Sequence, residues 1–541
     1  MKNLLEKGTK CLIIQTGFSS NSFWNYVEVC KLAGAKYPAA PLGLLTVAAL
    51  LPQQWNFKLV DANVERLREE YFEWADIVCI GGMLPQQQSM IAIIDKIHQY
   101  GRPVIAGGAD PSSQPNLYQA ADYLVRGEGE VTIPILLEDL GKGCRSGEYK
   151  SDQLADMEQA VVPRFDLIQF QDYLHIGIQF SRGCPFNCEF CDIIELYGRK
   201  SRTKKPEQII KELQTLYDLG YRGHVDFVDD NFIGNKKNVK QVLPVIKAWS
   251  TTNKHPFFFS TESSINLADD EHLLEMMQAI DFRFVFIGIE TPEDEILKLT
   301  NKKMNVNRSI INAVNKISFY GMIVNAGFII GFDTETDRTA QNMIKCVQES
   351  GICMAMVGKL YALPNTQLTK RLQKEGRLFE NGSTMNGTEL DQMSSGLNFI
   401  TSRDRLEILK DYYNVIQYIY DPQHYYQRVT YTSLHLKPAY KFRPAVLKIL
   451  KNIKVFLKIC IKAGMNKKTG RFYWKSLFIV LTKNPRAMEA MVNLAAMFIH
   501  FYRQSQFIIN LTADEINSLE NQSDIEYDPS PSQKDMKIKS A

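Results

Sequence analysis

Three cysteines stand within eight residues of one another in the segment SRGCPFNCEFCD, with the spacing C-x3-C-x2-C. They are Cys184, Cys188 and Cys191. The other seven cysteines are scattered, mostly in apolar stretches, as buried thiols usually are. Thiolates grouped at this spacing in a cytosolic protein are typical of metal or cluster ligands and not of disulfides.

The kind of centre follows from the number of thiolates. A structural zinc site needs a fourth Cys or His nearby, and the next histidine, His224, belongs to another predicted strand. Four-iron clusters are usually held by four thiolates. Three thiolates leave one iron without a protein ligand, open to a substrate or cofactor. Three free thiols that happen to be close remain the alternative.

The cysteine loop belongs to a region that alternates strands with helices. Helical patterns cover 206–220, 239–251 and 269–280. Strands are predicted at 176–181, 224–228, 257–261, 284–289, 323–330 and 354–361. Six such units indicate a complete or partial parallel barrel, which places its chemistry at the carboxyl ends of its strands. The cysteines directly follow the first of these strands.

An earlier region shows the same alternation. Strands are predicted at 10–15, 57–61, 77–81, 103–106 and 123–126, with helices at 42–51 and 86–100. This pattern predicts a doubly wound parallel sheet, in which a ligand lies over the carboxyl strand ends. Glycines follow three of these strands: Gly81, Gly82, Gly107, Gly108 and Gly127. Tight turns without any ligand are the alternative interpretation.

These patterns divide the chain into five parts. We predict an α/β domain over 1–145, a linker over 146–175, a β/α barrel over 176–365, a helical domain over 366–520 and a disordered tail over 521–541. Within the helical domain, helices are predicted at 404–420, 444–463 and 485–511.

Composition supports an ordinary globular protein. Of the 541 residues, 45% are apolar and 23% charged, which excludes general disorder, collagen and a disulfide scaffold. The first residues lack the long apolar core of a secretory signal, and no stretch reaches the roughly 18 apolar residues of a bilayer span. We therefore expect a cytoplasmic protein.

The cysteine motif after the first strand of a β/α barrel resembles the radical S-adenosylmethionine (SAM) superfamily. In that superfamily the open iron chelates SAM, and reductive cleavage gives a 5′-deoxyadenosyl radical that abstracts hydrogen from C–H bonds. The resemblance implies a 4Fe-4S cluster on the three cysteines, with Phe190 beside the adenine. It also places later strand-end residues on SAM: Asp229, Asp230, Ser260, Glu262, Glu290, Gly327 and Gly331. Each carboxylate can instead cap the helix that follows it.

A closer resemblance rests on IQFSRGCPFNCEFCDI, VDDNFIGN and FIGIETP. These segments look like the cobalamin-dependent (class B) branch that contains the hopanoid C-2 methyltransferases, which have a helical C-terminal domain. The resemblance implies methyl transfer through cobalamin to an unactivated carbon of a lipid-like or secondary-metabolite substrate. It also implies an electron donor such as flavodoxin or ferredoxin. The implied cobalamin contacts are Gly81, Gly82, Met83, Gln86, Gly107, Gly108 and Gly127.

One departure and three alternatives accompany this interpretation. Many cobalamin domains supply a cobalt-binding histidine from D-x-H-x-x-G, but the only histidine of the first domain is His98, in a helical pattern. A domain that has kept the fold and lost cobalamin is therefore an alternative. The same chemistry also serves cyclases and rearrangement enzymes, and a non-enzymatic iron–sulfur redox sensor or electron carrier belongs to another class.

The net charge of +3 is unevenly distributed. Residues 422–488 contain 15 Lys and Arg and no Asp or Glu, which leaves −12 for the remainder. Within 444–463, five lysines recur along one helical face: Lys448, Lys451, Lys454, Lys458 and Lys462. Such a cationic amphipathic helix is typical of a membrane interface. A core helix with solvated lysines is the alternative, and the segment has no recognised nucleic-acid module. We expect contact with the inner membrane face and no nucleic acid.

Overall fold

The structure is a computed structural model that describes residues 4–19, 22–23, 25–379, 393–442 and 446–523. Residues 524–541, most of the predicted disordered tail, lie outside this part. The strands are β1 (Lys10–Gln15), β2 (Tyr37–Ala39), β3 (Asn56–Asp61), β4 (Ile77–Gly81), β5 (Val104–Gly107), β6 (Tyr123–Val125), β7 (Gly147–Tyr149), β8 (Tyr173–Ile178), β9 (Ser181–Arg182), β10 (Arg202–Thr203), β11 (Gly223–Phe227), β12 (Phe257–Ser263), β13 (Phe282–Glu290), β14 (Ile323–Ile330) and β15 (Ala355–Lys359).

Helices cover both sheets and make up the C-terminal region. They are α1 (Val27–Ala33), α2 (Leu42–Leu50), α3 (Glu69–Trp74), α4 (Gln87–Gln99), α5 (Ala109–Ser113), α6 (Gly129–Gly141), α7 (Ile193–Tyr197), α8 (Pro206–Asp218), α9 (Lys236–Thr252), α10 (Glu271–Ala279), α11 (Asp294–Leu299), α12 (Ile310–Phe319), α13 (Thr339–Ser350), α14 (Gln367–Lys374), α15 (Arg405–Ile419), α16 (Pro422–His435), α17 (Val446–Gly464), α18 (Gly470–Lys483) and α19 (Met488–Ser523). None of the described helices is long and apolar enough to cross a bilayer.

The first sheet has six parallel strands in the order β3-β1-β4-β5-β6-β7. Apolar groups pack on both of its faces, as a doubly wound sheet requires. Strand order reverses between β1 and β4, which opens a crevice at their carboxyl ends. The last strand, β7, extends this sheet beyond residue 145 into the segment predicted as a linker.

The second sheet has seven parallel strands in the order β15-β14-β13-β12-β11-β8-β2. Its edge strands β15 and β2 do not pair with each other in the described part of the chain, so the sheet is a partial barrel. This confirms the predicted fold class. Strand β2 was not predicted, because its three residues YPA are too short to show any periodicity. It pairs Tyr37 with Tyr173 and Ala39 with His175, so a segment of the first domain completes the second sheet.

Strand alternation separates the packing face of the barrel from its interior. On β11, Val225 and Phe227 are fully buried among core residues, whereas His224 and Asp226 alternate with them. His224 stacks on His175 of the neighbouring strand at 5.1 Å. The even-numbered side chains of β11 therefore line the inside of the barrel.

Helix α19 lies over the gap between the two edge strands. Near its carboxyl end Glu515 pairs with Lys359 of β15 at 2.9 Å. In its middle, the Phe501 ring lies 4.8 Å from Phe23 and 5.9 Å from Tyr26, in the segment that precedes β2. The long helix thus closes the side of the barrel that its strands leave open.

Candidate active site

The cysteine loop begins at the short ribbon of β9 and β10. Gly183 has φ +87°, and a Cβ atom at this position would stand 2.6 Å from the Lys200 carbonyl oxygen, so only glycine fits the turn. Cys188 is buried, and Cys184 and Cys191 are half-buried. The loop therefore presents its thiols from inside the protein at the carboxyl end of β8.

Two aspartates after β11 hold this loop in place. Asp229 accepts hydrogen bonds from the backbone N–H groups of Phe180 and Ser181, both at 2.8 Å, and from the Ser181 hydroxyl. Asp230 accepts one from the Gly183 N–H at 2.6 Å. Burial raises the pKa of Asp229 to about 7 and that of Asp230 to about 6. Both predicted SAM contacts thus position the cysteine loop.

A half-buried cation, which the sequence interpretation missed, lies beside the cysteine loop. The Nζ atom of Lys302 lies 2.7 Å from Oε1 of Glu290 and 5.9 Å from the centre of the Phe190 ring. Burial raises the pKa of Cys188 to about 11, and the Lys302 charge opposes this rise. Glu290, a predicted SAM contact, is therefore already paired, and its φ of +65° turns it toward Lys302 at the irregular end of β13.

The barrel interior carries a cluster of polar side chains below the loop. The Nε2 atom of His224 lies 2.6 Å from Oγ of Ser260, which also contacts Asp226. Burial lowers the pKa of His224. Burial also raises the pKa of Glu262 to about 8, and the nearby Asp226, Asp230 and Asp229 add to this rise. Ser260 and Glu262 thus face a largely enclosed, acidic interior.

The remaining barrel predictions concern β14 and the loop after it. A Cβ atom on Gly327 would stand 3.3 Å from the Phe286 ring. Gly331 has φ +114°, and its N–H donates to Oε1 of Glu335 at 2.8 Å. The ring of Phe190 lies 5.9 Å from that of Phe332. These residues form one rim of the interior beside the cysteine loop.

At the carboxyl edge of the first sheet, the predicted glycines pack against one another. A Cβ atom on Gly81 would stand 3.2 Å from the Gly107 oxygen, and one on Gly108 would stand 2.9 Å from the Gly82 oxygen. A Cβ atom on Gly127, whose φ is +80°, would stand 3.9 Å from the Ser151 carbonyl oxygen, an ordinary contact distance. The glycines therefore make an edge whose loops carry few side chains.

Two further predicted cobalamin contacts lie on the loop after β4, and they differ in exposure. Met83 is 50% exposed above this edge. Gln86 is buried, and its amide bonds inward, donating to the Thr16 carbonyl at 2.8 Å and accepting from the Met83 N–H at 3.1 Å. Gln86 does not face outward because it ties the end of β1 to the loop. His98 lies on α4, with Nε2 3.0 Å from Asp122.

Acidic residues of the first domain clamp the cysteine loop of the second. Glu128 is buried and pairs with Arg182 at 2.8 Å and with Arg202 at 2.7 Å, while Glu130 pairs with Arg182 at 2.9 Å. Arg182 is two residues before Cys184. The turn that contains Gly127, a predicted cobalamin contact, thus holds the two domains together through its carboxylates.

Comparisons with known families and relatives identify this site. Residues 178–347 match the radical SAM superfamily, residues 30–137 match the B12 binding domain, and residues 366–512 match a domain of unknown function (DUF4070). The chain is 39% identical over 495 residues to an uncharacterized methyltransferase of Synechocystis sp., with 90% of each chain covered. The chain belongs to the cobalamin-dependent radical SAM methyltransferase family.

Another relative of this methyltransferase family is the hopanoid C-2 methylase of Rhodopseudomonas palustris, 34% identical over 444 residues, which cover 80% of this chain and 82% of the relative. Solved structures share the fold. The radical SAM enzyme OxsB, with aqua-cobalamin and SAM bound, matches with a TM-score of 0.58 at 15% identity, over 96% of this chain and 82% of OxsB. TsrM from Kitasatospora setae, with cobalamin and a [4Fe-4S] cluster bound, matches with a TM-score of 0.59 at 15% identity, over 83% of this chain and 98% of TsrM.

The matches to the radical SAM and B12 binding domains confirm the predicted family. They also confirm the predicted cofactors, which are a 4Fe-4S cluster, SAM and cobalamin. The donor set fits a cluster, because three thiols on one loop can each bind a separate iron. In the part of the chain that the structure describes, no three His, Cys, Asp or Glu side chains converge as a single metal ion requires. A cluster instead takes its ligands on separate irons. Cys184, Cys188 and Cys191 stay the predicted ligands.

The first sheet of this methyltransferase fits a large flat ligand. The crevice between β1 and β4 has a floor of packed glycine loops and an exposed Met83 beside it. Directly after β1, the hydroxyl of Thr16 is buried and has no hydrogen-bond partner among the described residues. A buried polar atom of this kind at a strand-order reversal is what a bound ligand would satisfy.

Proposed function

We propose that the protein transfers a methyl group to an unactivated carbon of a lipid-like or secondary-metabolite substrate. The observation that carries this proposal is the clamp of Glu128 and Glu130 on Arg182, which joins the cobalamin-type sheet to the cysteine loop. When bound, the cluster with SAM supplies a hydrogen-abstracting radical and cobalamin supplies methyl. Ordinary SAM methylation needs a nucleophile, which a saturated carbon does not offer.

Several residues of the chain receive roles in this proposal. Cys184, Cys188 and Cys191 hold the cluster. Asp229 and Asp230 position their loop through the hydrogen bonds described above. The SAM side of the barrel is lined by Phe190, Glu262, Gly327 and Gly331, with Ser260 below them. The positive charge of Lys302 lowers the free-energy cost of placing anionic sulfur in this loop.

The barrel interior supports a substrate site. Neutral His224, Ser260 and the protonated form of Glu262 offer hydrogen-bond donors and acceptors. Because one relative is named a hopanoid C-2 methylase, we propose a terpenoid lipid as the substrate. We further propose a cytoplasmic location, because clustered cysteine ligands require a reducing compartment, and a flavodoxin or ferredoxin as electron donor.

The test uses anaerobically purified protein with the cluster and cobalamin reconstituted. After chemical reduction, SAM carrying a deuterated methyl group and a dispersed hopanoid are added, and 5′-deoxyadenosine and labelled lipid are measured. We expect both products. Cys184→Ala, Cys188→Ala or Cys191→Ala should abolish them, whereas Cys346→Ala, a buried cysteine in α13, should leave them unchanged.

The outcomes separate the alternatives. Failure to form 5′-deoxyadenosine would leave only a redox sensor or electron carrier. Formation of 5′-deoxyadenosine without methyl transfer to any lipid of an extract from the native host would indicate a cyclase or rearrangement enzyme. A protein that binds no cobalamin after growth with the vitamin would contradict the proposed methyl donor.

A further inference from the structure

Two consecutive helices of the C-terminal region expose rows of large apolar side chains. On α17 the row is Leu450, Ile453, Leu457 and Ile461, each 49–59% exposed. On α18 it is Trp474, Phe478 and Leu481, each 47–68% exposed. We call these seven side chains the α17–α18 face. Monomeric proteins seldom expose so many large apolar groups together, and such patches mark interaction sites.

The opposite side of α17 is where this helix meets the protein. Ile459 and Ala463 are 2% exposed and belong to the main core, and α17 packs against α1, α18 and α19. The apolar row of α17 is therefore not the core side of the helix, as the alternative of a core helix with solvated lysines would require. It points to solvent and lacks a covering element within the described residues.

Basic side chains border the face on both helices. Lys454, Lys458 and Lys462 follow the apolar row of α17 at helical spacing, and all three are exposed. Arg471, Lys475 and Lys483 are exposed on α18. No acidic residue occurs anywhere in 422–488. The side chains of Lys448 and Lys451 lie outside the described residues.

We propose that the α17–α18 face docks on an anionic lipid bilayer. Its apolar rows would enter the boundary of headgroups and acyl chains, and its lysines and arginines would meet lipid phosphates. A helix with one apolar and one cationic side lies in the plane of such an interface. Trp474 adds an amphipathic ring suited to that depth. A nucleic acid would use the charges but would leave seven large apolar groups in water.

The position of the face connects it to the barrel. Glu28 of α1 pairs with Lys462 of α17 at 3.2 Å and with Arg503 of α19 at 3.3 Å. Tyr26, directly before α1, contacts His500 and Phe501 of α19. One layer of helices therefore separates a docked bilayer from the closing side of the barrel. Entry of a lipid substrate by this route rests on the proposed function, whereas docking itself does not.

The experiment measures flotation of the full-length protein with vesicles, without substrate or reductant. Vesicles are phosphatidylcholine alone or phosphatidylcholine with about one quarter phosphatidylglycerol, at low and high salt. We expect binding to the anionic vesicles that weakens with salt. Vesicles with brominated acyl chains should quench the fluorescence of Trp474, and Trp474→Phe should remove that quenching while keeping the binding.

Two sets of substitutions test the face. Replacing Leu450, Ile453, Leu457 and Phe478 by Ser, or Lys454, Lys458, Lys475 and Lys483 by Gln, should each lower the partition coefficient by about 100-fold. Matched controls lie at exposed positions away from the α17–α18 face: Ile135, Leu219, Val245 and Leu299 to Ser, and Lys237, Lys247, Lys345 and Lys374 to Gln. Because all these side chains are exposed, every variant should fold.

Three results would overturn the proposal. The first is a wild-type protein that does not float with anionic vesicles. The second is binding that the face substitutions reduce no more than their controls. The third is a wild-type dimer in sedimentation analysis that the apolar substitutions dissociate, without vesicle binding, since the face would then be covered by a second copy. Loss of methyl transfer with intact vesicle binding would instead contradict only the proposed function.

Discussion

At the scale of single residues, buried charge pairs and buried acids decide how the site behaves. Lys302 and Glu290 stand 2.7 Å apart beside the cysteine loop. The strand-end glutamate was found from the sequence by its place after a predicted strand. Its partner was missed because Lys302 lies in the loop after α11, where nothing in the local pattern indicates burial. Long-range packing, and not periodicity, makes this lysine part of the site.

Lys302→Met should destabilise the cofactor-free protein by about 3 kcal/mol, because it leaves the Glu290 carboxylate buried without its partner. Urea denaturation measures this change. In the reconstituted protein the cluster midpoint potential should become more negative, because a nearby positive charge favours the reduced form.

A double variant tests both effects together. Lys302→Met with Glu290→Gln should recover most of the stability, and because the lost carboxylate offsets the lost cation, the potential should return toward that of wild type. The neighbouring Lys303 is exposed, so Lys303→Met is the matched control and should change neither quantity. Equal shifts of the potential in both lysine variants would show that Lys302 has no special relation to the cluster.

Glu335 gives a pH-dependent prediction. Burial raises its pKa from 4.5 to about 8, while one oxygen accepts from the Gly331 N–H and the other has no partner among the described residues. Between pH 4.5 and 8, Glu335 holds a proton in the folded protein that it has lost in the unfolded chain. The free energy of unfolding should therefore fall, through Glu335, as pH rises across this window, by up to about 1.4 kcal/mol per pH unit.

Glu335→Gln keeps an acceptor for the Gly331 N–H and does not titrate. The free energy of unfolding of wild type should fall relative to that of Glu335→Gln as pH rises through this window, as measured by urea denaturation at several pH values. Parallel pH curves for the two proteins would contradict a raised pKa at this position.

At the scale of elements, the sequence predicted most strands of both sheets. The predicted strands at 10–15, 77–81 and 323–330 coincide with β1, β4 and β14, because each is a compact apolar run that ends at a glycine or a turn. The strand predicted at 176–181 was displaced, since β8 begins at Tyr173 and β9 is a separate ribbon. Strands β2 and β7 were not predicted, because each has only three residues and forms only by pairing with neighbouring strands.

The clamp between the first domain and the β9–β10 ribbon yields an element-level prediction. Glu128→Gln with Glu130→Gln leaves the half-buried guanidinium groups of Arg182 and Arg202 without their charged partners, which should cost about 3 kcal/mol. If cobalamin lies between the domains, bound cobalamin after gel filtration should fall several-fold while iron content stays unchanged.

Hydrogen exchange supplies the direct readout, with faster exchange expected in 126–131 and 181–203. The control is Glu148→Gln, which breaks the more exposed pair of Glu148 with Arg126 and should have little effect on either quantity. Iron loss in step with cobalamin loss would indicate that the clamp supports the cysteine loop alone and does not align the domains.

At the scale of the whole molecule, the hydrophobic cores divide the protein differently from the domains predicted from its sequence. The helical region was predicted as a domain of its own. In the structure, α15, α16 and α19 share one continuous core with the barrel, and the Tyr412 hydroxyl donates to the Val357 carbonyl of β15 at 3.1 Å. The first sheet has two separate core groups of its own. Sequence composition cannot reveal this, because helices that cover a sheet and helices that form a bundle have the same pattern.

Calorimetry of the cofactor-free protein should therefore give two unfolding transitions and not three. Ile246→Ala in α9 and Ile416→Ala in α15 each remove a fully buried side chain from the shared core. Each should lower the same transition by about 3 kcal/mol. Ile94→Ala in α4, in a core group of the first sheet, should lower the other transition by a similar amount. Ile135→Ala, at an exposed position of α6, is the control and should leave both unchanged. Should Ile416→Ala move a transition that Ile246→Ala leaves in place, the C-terminal helices fold as an independent domain, and α19 closes the barrel by docking and not as part of its core.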